Sequence, residues 1–191
     1  MSGTLAVTGD PVADELVNTN PLALLLAMLL DQQIPMEWAF RGPATLQKRL
    51  GELDPASIAA MDPEMLTAVC CEKPAIHRFP TSMSKRIQAL CQKIVEDYDG
   101  DASTIWSEDH TANEIIERLH SLPGYGSEKS MILLAILAKR FDFCPEGWAK
   151  HAGPFADNTP RSVADIDGPE ALANVRAWKK SQKIKGKTKQ E

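Results

Sequence analysis

The chain has 191 residues, 43% of them hydrophobic, enough apolar side chain for the core of one compact domain and too much for a wholly disordered chain. Its formal net charge of −5, taken alone, argues against a nucleic-acid partner. The charge is uneven, however: Arg176, Lys179, Lys180, Lys183, Lys185, Lys187 and Lys189 follow one another with no acid before Glu191. The apolar run from Pro21 to Leu30 is about half the length that crosses a bilayer, so no membrane is expected. Met1-Ser2-Gly3-Thr4 lacks the basic region and long apolar stretch of a secretory signal, which predicts a cytoplasmic location. Cys70, Cys71, Cys91 and Cys144 contain no C-x-x-C pair and read as reduced core thiols, with no metal site among them.

The pattern predicts an all-α protein. After a scrap of alternation at Leu5–Val7, Asp10-Pro11 opens a short helix over 11–18, and Asn20-Pro21 opens the next, each with a capping side chain and a proline preset for the first turn. From Pro21 to Leu30 apolar residues cover every face, the mark of a buried central helix. A helix over 35–49 carries Trp38, Ala39, Leu46 and Leu50 and stops at Gly51. Asp54-Pro55 and Asp62-Pro63 start two more short helices. The stretch from His77 to Ser84 reads as a loop containing Pro80, Thr81 and Ser82, followed by a helix through Ile87, Leu90, Cys91, Ile94 and Val95 to about Tyr98. Thr111 to Leu119 forms another helix, and Ser127 caps a strongly apolar one running to Lys139-Arg140. Beyond Phe141 prolines and glycines crowd a loop-rich stretch, and a last helix spans about 168–182.

Between two of these helices lies Leu122-Pro123-Gly124-Tyr125-Gly126-Ser127. Two glycines one residue apart permit a sharp turn and close approach to a ligand, and the turn amides with the free N–H groups of the next helix form a nest suited to phosphate. An ordinary tight helix–helix turn accounts for the same residues. The context adds more. L-P-G-Y-G-S-E-K-S before an apolar helix resembles the hairpin of the helix-hairpin-helix (HhH-GPD) DNA glycosylase superfamily, the endonuclease III-like group. Met28-Leu29-Leu30-Asp31-Gln32-Gln33 is similar to its early L-L-x-x-Q helix end, and Ser84-Lys85-Arg86 to Ile94-Val95, with Asp99-Gly100 beyond, to the lysine-bearing helix before the hairpin. The three matches span about Pro21 to Phe141.

The resemblance implies a fold of two helical subdomains flanking a DNA-binding cleft: a core over 21–141 with its hairpin at 122–126, a second subdomain from 1–20 and 142–182, and a basic tail over 183–191. It implies double-stranded DNA as partner, contacted by Gly124, Tyr125, Gly126, Ser127 and Lys129, with Gln33 reaching toward the base stack and Phe79 wedging where a nucleotide is extruded. A polar helix end accounts equally for Gln32 and Gln33, and a satisfied loop histidine for His77. A monovalent cation at the hairpin belongs to the same expectation.

Three departures bear on chemistry. The slot for a strand-cutting lysine holds Glu128, and Lys129 stands one residue on, about 100° around the helix, so lyase chemistry is not expected. Glu146 stands 18 residues beyond Glu128, the spacing of the family's catalytic aspartate, with Asp142 a second acid nearby; neither has the family's usual surroundings, and a solvated loop acid is the competing reading. No cysteine follows Cys144, so no iron–sulfur cluster is expected. These features point to a base-excision-repair protein, a monofunctional DNA N-glycosylase, or alternatively a non-catalytic DNA-structure or lesion binder on the same scaffold. A protein-interaction module is the third reading, and the basic tail reads equally as a solubilising end or a phosphate contact.

Overall fold

The computed structural model describes residues 3–107, 109–186, 188 and 190, and among them every regular element is helical. The four predicted Pro-led helices form where a polar side chain caps the turn: α1 (Pro11–Thr19), α2 (Pro21–Leu30), α4 (Pro55–Ala60) and α5 (Pro63–Cys71), with α3 (Met36–Leu50) between α2 and α4. Asp10 accepts from the Val12 amide, Asn20 from Ala23, Asp54 from Ser57, and Asp62 from Glu64 and Met65, so each local signal closes within its own turn.

Every residue of α2 from Leu22 to Leu30 is buried. α1 and α3 pack against it, and α4 and α5 pack on α6 (Pro80–Tyr98). A 3-10 turn over Ala102–Trp106 leads to α7 (Ala112–Ser121), whose capping box joins Thr111 and Glu114. The hairpin then turns the chain into α8 (Ser127–Arg140). α9 (Trp148–Ala152) packs on α7 and α8, and α10 (Pro169–Ile184) crosses the 3-10 turn at Val163–Asp165. Lys139 on α8 holds this C-terminal stretch through Asp165, at 2.7 Å.

Several expectations are corrected. Leu5–Val7 is not a strand but a buried coil, its backbone taken by the Asn18 and Asp14 side chains. Helix α6 starts at Pro80, so Pro80, Thr81 and Ser82 are its first turn; the proline is preset for that position. Ser127 is the first residue of α8, and Gly126 takes the capping position with no side-chain cap. Trp38 and Cys71 and Cys144 are exposed, whereas Cys70 and Cys91 are core thiols, each pushed up to about 12, chiefly by burial. α1 packs on α2 and α3, the C-terminal segment packs on α7 and α8, and Thr4 bonds the Arg140 carbonyl at the end of α8. The last helix runs on to Ile184, and Lys187, Lys189 and Glu191 of the expected tail lie outside the described residues. No described helix is long and apolar enough to cross a membrane.

Candidate nucleic-acid interface

The C-terminal end of α2 is seated between two glycines. A Cβ on Gly42 of α3 would lie 2.3 Å from the Leu30 Cδ1, and one on Gly124 of the hairpin 2.4 Å from the Leu29 Cδ1. Gly124 also has φ +85°, a left-handed conformation that side chains resist. The hairpin therefore lies directly on the helix end that carries Gln32 and Gln33.

Two side chains cap the carbonyls that α2 leaves unpaired. Lys129 Nζ donates to Met28 O at 2.5 Å and Leu29 O at 2.8 Å, placing a cation at the negative end of the helix dipole. Gln32 Nε2 donates to Leu29 O at 2.7 Å. Gln32 is fixed again from the other side: Arg86 Nη1 donates to its Oε1 at 2.8 Å, and His77 Nε2 donates to its carbonyl at 2.9 Å. With Gln32 so held, the chain bends, and Gln33 stands exposed at φ +58° with no hydrogen bond.

His77 is buried at the centre of this arrangement. The Phe79 amide donates to its Nδ1 at 3.0 Å, so Nδ1 is the acceptor and Nε2 carries the proton. Burial foremost, and then the charges of Arg78, Lys129 and Arg86, lower the His77 pKa from its usual value, while its bond to Gln32 opposes the shift. A second proton would confront the Phe79 N–H. Because the folded pKa lies below the unfolded one, the folded state binds fewer protons, and the stabilisation present above about pH 6.5 is lost as pH falls through the folded pKa. The melting temperature of the wild type should accordingly fall more steeply than that of His77→Gln between pH 7.5 and 5; parallel curves would refute the role given to this imidazole.

Phe79, 44% exposed, stands beside His77 with ring centroids 6.0 Å apart and under the Arg78 guanidinium at 4.7 Å. Next to it is an open depression lined by Arg78, Phe79, Pro80, Thr81, Ser82 and Lys85. Gln33, Phe79 and the hairpin thus surround one helix end, bordered by Arg78, Lys85 and Arg86. On the hairpin itself Gly124, Gly126 and Ser127 are exposed, and the Gly126 and Ser127 amides take no protein partner, an arrangement that can receive an anionic oxygen.

Two sequence assignments change. Tyr125 is not a surface contact: it is 5% exposed, and its hydroxyl donates to Leu25 O at 2.7 Å, with burial raising its pKa well above the ordinary value. Lys129 spends its ammonium on α2 carbonyls and is a structural cap. Asp142 follows the C-terminal end of α8, and Glu146 lies in the loop between it and α9. Phe143 N bonds Leu137 O and Cys144 Sγ bonds Ala138 O, tying this stretch to the last turns of α8, about 16 Å along the axis from Ser127 at 1.5 Å per residue. Both acids are exposed there and accept no hydrogen bond. Beyond Glu146 the chain returns along α8: α9 packs on α7 and α8, and a Cβ on Gly153 would lie 3.6 Å from the Met131 Sδ, about one turn from Ser127. Arg78 and Arg86, given no role from sequence, border the site; their signal was a pair of basic residues flanking Phe79 and the first turns of α6.

Among the described residues no three His, Cys, Asp or Glu side chains gather in a metal-holding group. A family model described as HhH-GPD superfamily base excision DNA repair protein matches residues 26–190. Comparison with curated proteins returns no match.

Proposed function

The chain belongs to the HhH-GPD superfamily of base excision DNA repair proteins, and from that premise we propose that it grips duplex DNA through its hairpin and extrudes a nucleotide beside Gln33 and Phe79. The observation that carries this reading is the contrast between two adjacent glutamines. Gln32 is held by its own amide-to-Leu29 bond, by Arg86 and by His77, and that rigidity displays Gln33 to solvent in a left-handed backbone conformation. A polar side chain presented this way can fill the gap left in a base stack, and the half-exposed Phe79 ring can stack on its neighbour. The Gly126 and Ser127 amides position the backbone, which fixes register without reading sequence. A monovalent cation, if bound, would rest on hairpin carbonyls, an oxygen donor set of the right kind. Buried, protonated thiols fit a reducing, cytoplasmic setting.

Lesion engagement is the function this geometry favours, since Gln33 and Phe79 stand exposed beside the hairpin. A monofunctional N-glycosylase is the second reading, favoured by Asp31: this half-exposed carboxylate closes α2 two residues before Gln33, where charge developing on a sugar would meet it. Base release separates the two readings. On duplexes carrying alkylated, oxidised, deaminated or mismatched bases next to 2-aminopurine, the protein should raise 2-aminopurine fluorescence. Gln33→Ala should retain bulk DNA affinity yet lower discrimination for the damaged duplex by about tenfold, within the few kcal/mol that unstacking costs. Unchanged fluorescence with the wild type would reject extrusion, and loss of release in Asp31→Asn, with binding intact, would establish the glycosylase reading.

A further inference from the structure

Helix α10 is basic on one side and touches the start of α3. Arg176, Lys179, Lys180 and Lys183 occupy positions i, i+3, i+4 and i+7, which a helix gathers into one stripe. The adjoining face is turned inward by Val175, which is fully buried, and by Trp178, whose ring lies 5.4 Å from the Arg161 guanidinium. The only acid within Pro169–Ile184 is Glu170, in the first turn, so nothing on the helix neutralises its last two turns. In a chain of net charge −5 this concentration stands out.

Two contacts place the stripe beside the start of α3. Arg176 pairs with Glu37, and Lys179 Nζ approaches the Met36 Sδ at 3.1 Å. Both contacts lie in the first turn of α3, three and four residues on from Gln33. The next basic residues, Lys180 and Lys183, are exposed. Glu37 is four residues on from Gln33, a span of at most about 14 Å, and the stripe from Arg176 to Lys183 adds about 10 Å at 1.5 Å per residue. The whole stripe therefore lies within one turn of duplex, about 34 Å, of Gln33.

We infer that the α10 stripe is a second phosphate-binding surface, taking the DNA backbone on the Gln33 side of the extruded nucleotide while the hairpin holds the other. This rests on the proposed DNA engagement and adds to it a polarity: the protein would need duplex on one flank of the lesion more than on the other. Neutralised phosphates release counterions, so each contact contributes about 0.9 to the slope of log affinity against log salt.

The test measures DNA affinity of the full chain across salt concentrations for wild type, Lys180→Gln/Lys183→Gln and, as control, Lys150→Gln on α9. The double variant should lose up to about 1.8 of the slope and keep its 2-aminopurine response at saturation, with the control unaltered. Shortening one duplex arm to about three base pairs should abolish the difference between wild type and double variant, and shortening the other arm should not. An unchanged slope in the folded double variant, with salt-dependent binding by the wild type, overturns the inference and leaves DNA engagement standing. Equal sensitivity to both arms overturns the placement. Absence of salt-dependent binding by the wild type overturns the DNA reading itself.

Discussion

Gly124→Ala should destabilise the protein by about 2–4 kcal/mol, whereas Gly126→Ala should leave stability within about 0.5 kcal/mol of wild type. Both are hairpin glycines, yet their environments differ. Gly124 has φ +85°, and a Cβ there meets Leu29 Cδ1 at 2.4 Å; Gly126 has φ −92° and open space around its missing Cβ. An alanine at 124 incurs left-handed strain of about 1–3 kcal/mol, and it must also displace a leucine that is 0% exposed in a close-packed core. For a chain of this length the loss corresponds to a drop of about 5–15 °C in melting temperature. Gly126 has the complementary role: its amide is exposed where phosphate would approach, so an added methyl should weaken DNA binding without shifting the melt. Calorimetry and a binding isotherm on each variant separate the two effects. A Gly124→Ala protein as stable as wild type would disprove the seat described for Leu29.

The second large effect is expected at Lys129. Its ammonium donates to Met28 O and Leu29 O, and hydrogen bonds to charged groups contribute about 1.5–3 kcal/mol each. Lys129→Met keeps the aliphatic stem but leaves the Met28 carbonyl without this donor; a loss of about 3–5 kcal/mol in denaturant unfolding is expected. The same geometry bears on chemistry. A Schiff-base amine needs its lone pair free, and this nitrogen is turned to two carbonyl oxygens as a donor. Borohydride should therefore trap no covalent complex with abasic DNA. A trapped adduct that disappears in Lys129→Met would show that the amine leaves its carbonyls to attack.

What the sequence revealed and what it hid divide by range. Asp10-Pro11, Asn20-Pro21, Asp54-Pro55 and Asp62-Pro63 act within their own turns, so the helices they open were readable as strings. The all-apolar pattern of 21–30 announced a central helix for the same reason. Pro80-Thr81-Ser82 misled because the same residue types serve a loop and a helix start; only the packing of α6 against α4 and α5 decides between them. At the site, Gln33 and Phe79 were nominated and are exposed. Tyr125 and Lys129 were nominated as contacts, but their partners lie 100 residues or more away, and no local pattern tells a side chain which way to turn.

The capping of α2 by Lys129 also has a consequence for the order in which the chain becomes native. Most helices close with groups from their own next few residues, available as soon as they are synthesised. Here the donor for Met28 O arrives 101 positions later, and the Tyr125 hydroxyl for Leu25 O 100 positions later. Bringing such distant segments together demands loop closure before any bond rewards it. While the nascent chain ends short of residue 129, the Met28 carbonyl lacks its native donor, and the hairpin that seats Leu29 is incomplete. The capped end of α2 and the seat of Leu29 are therefore late products of folding, complete only once the hairpin has docked.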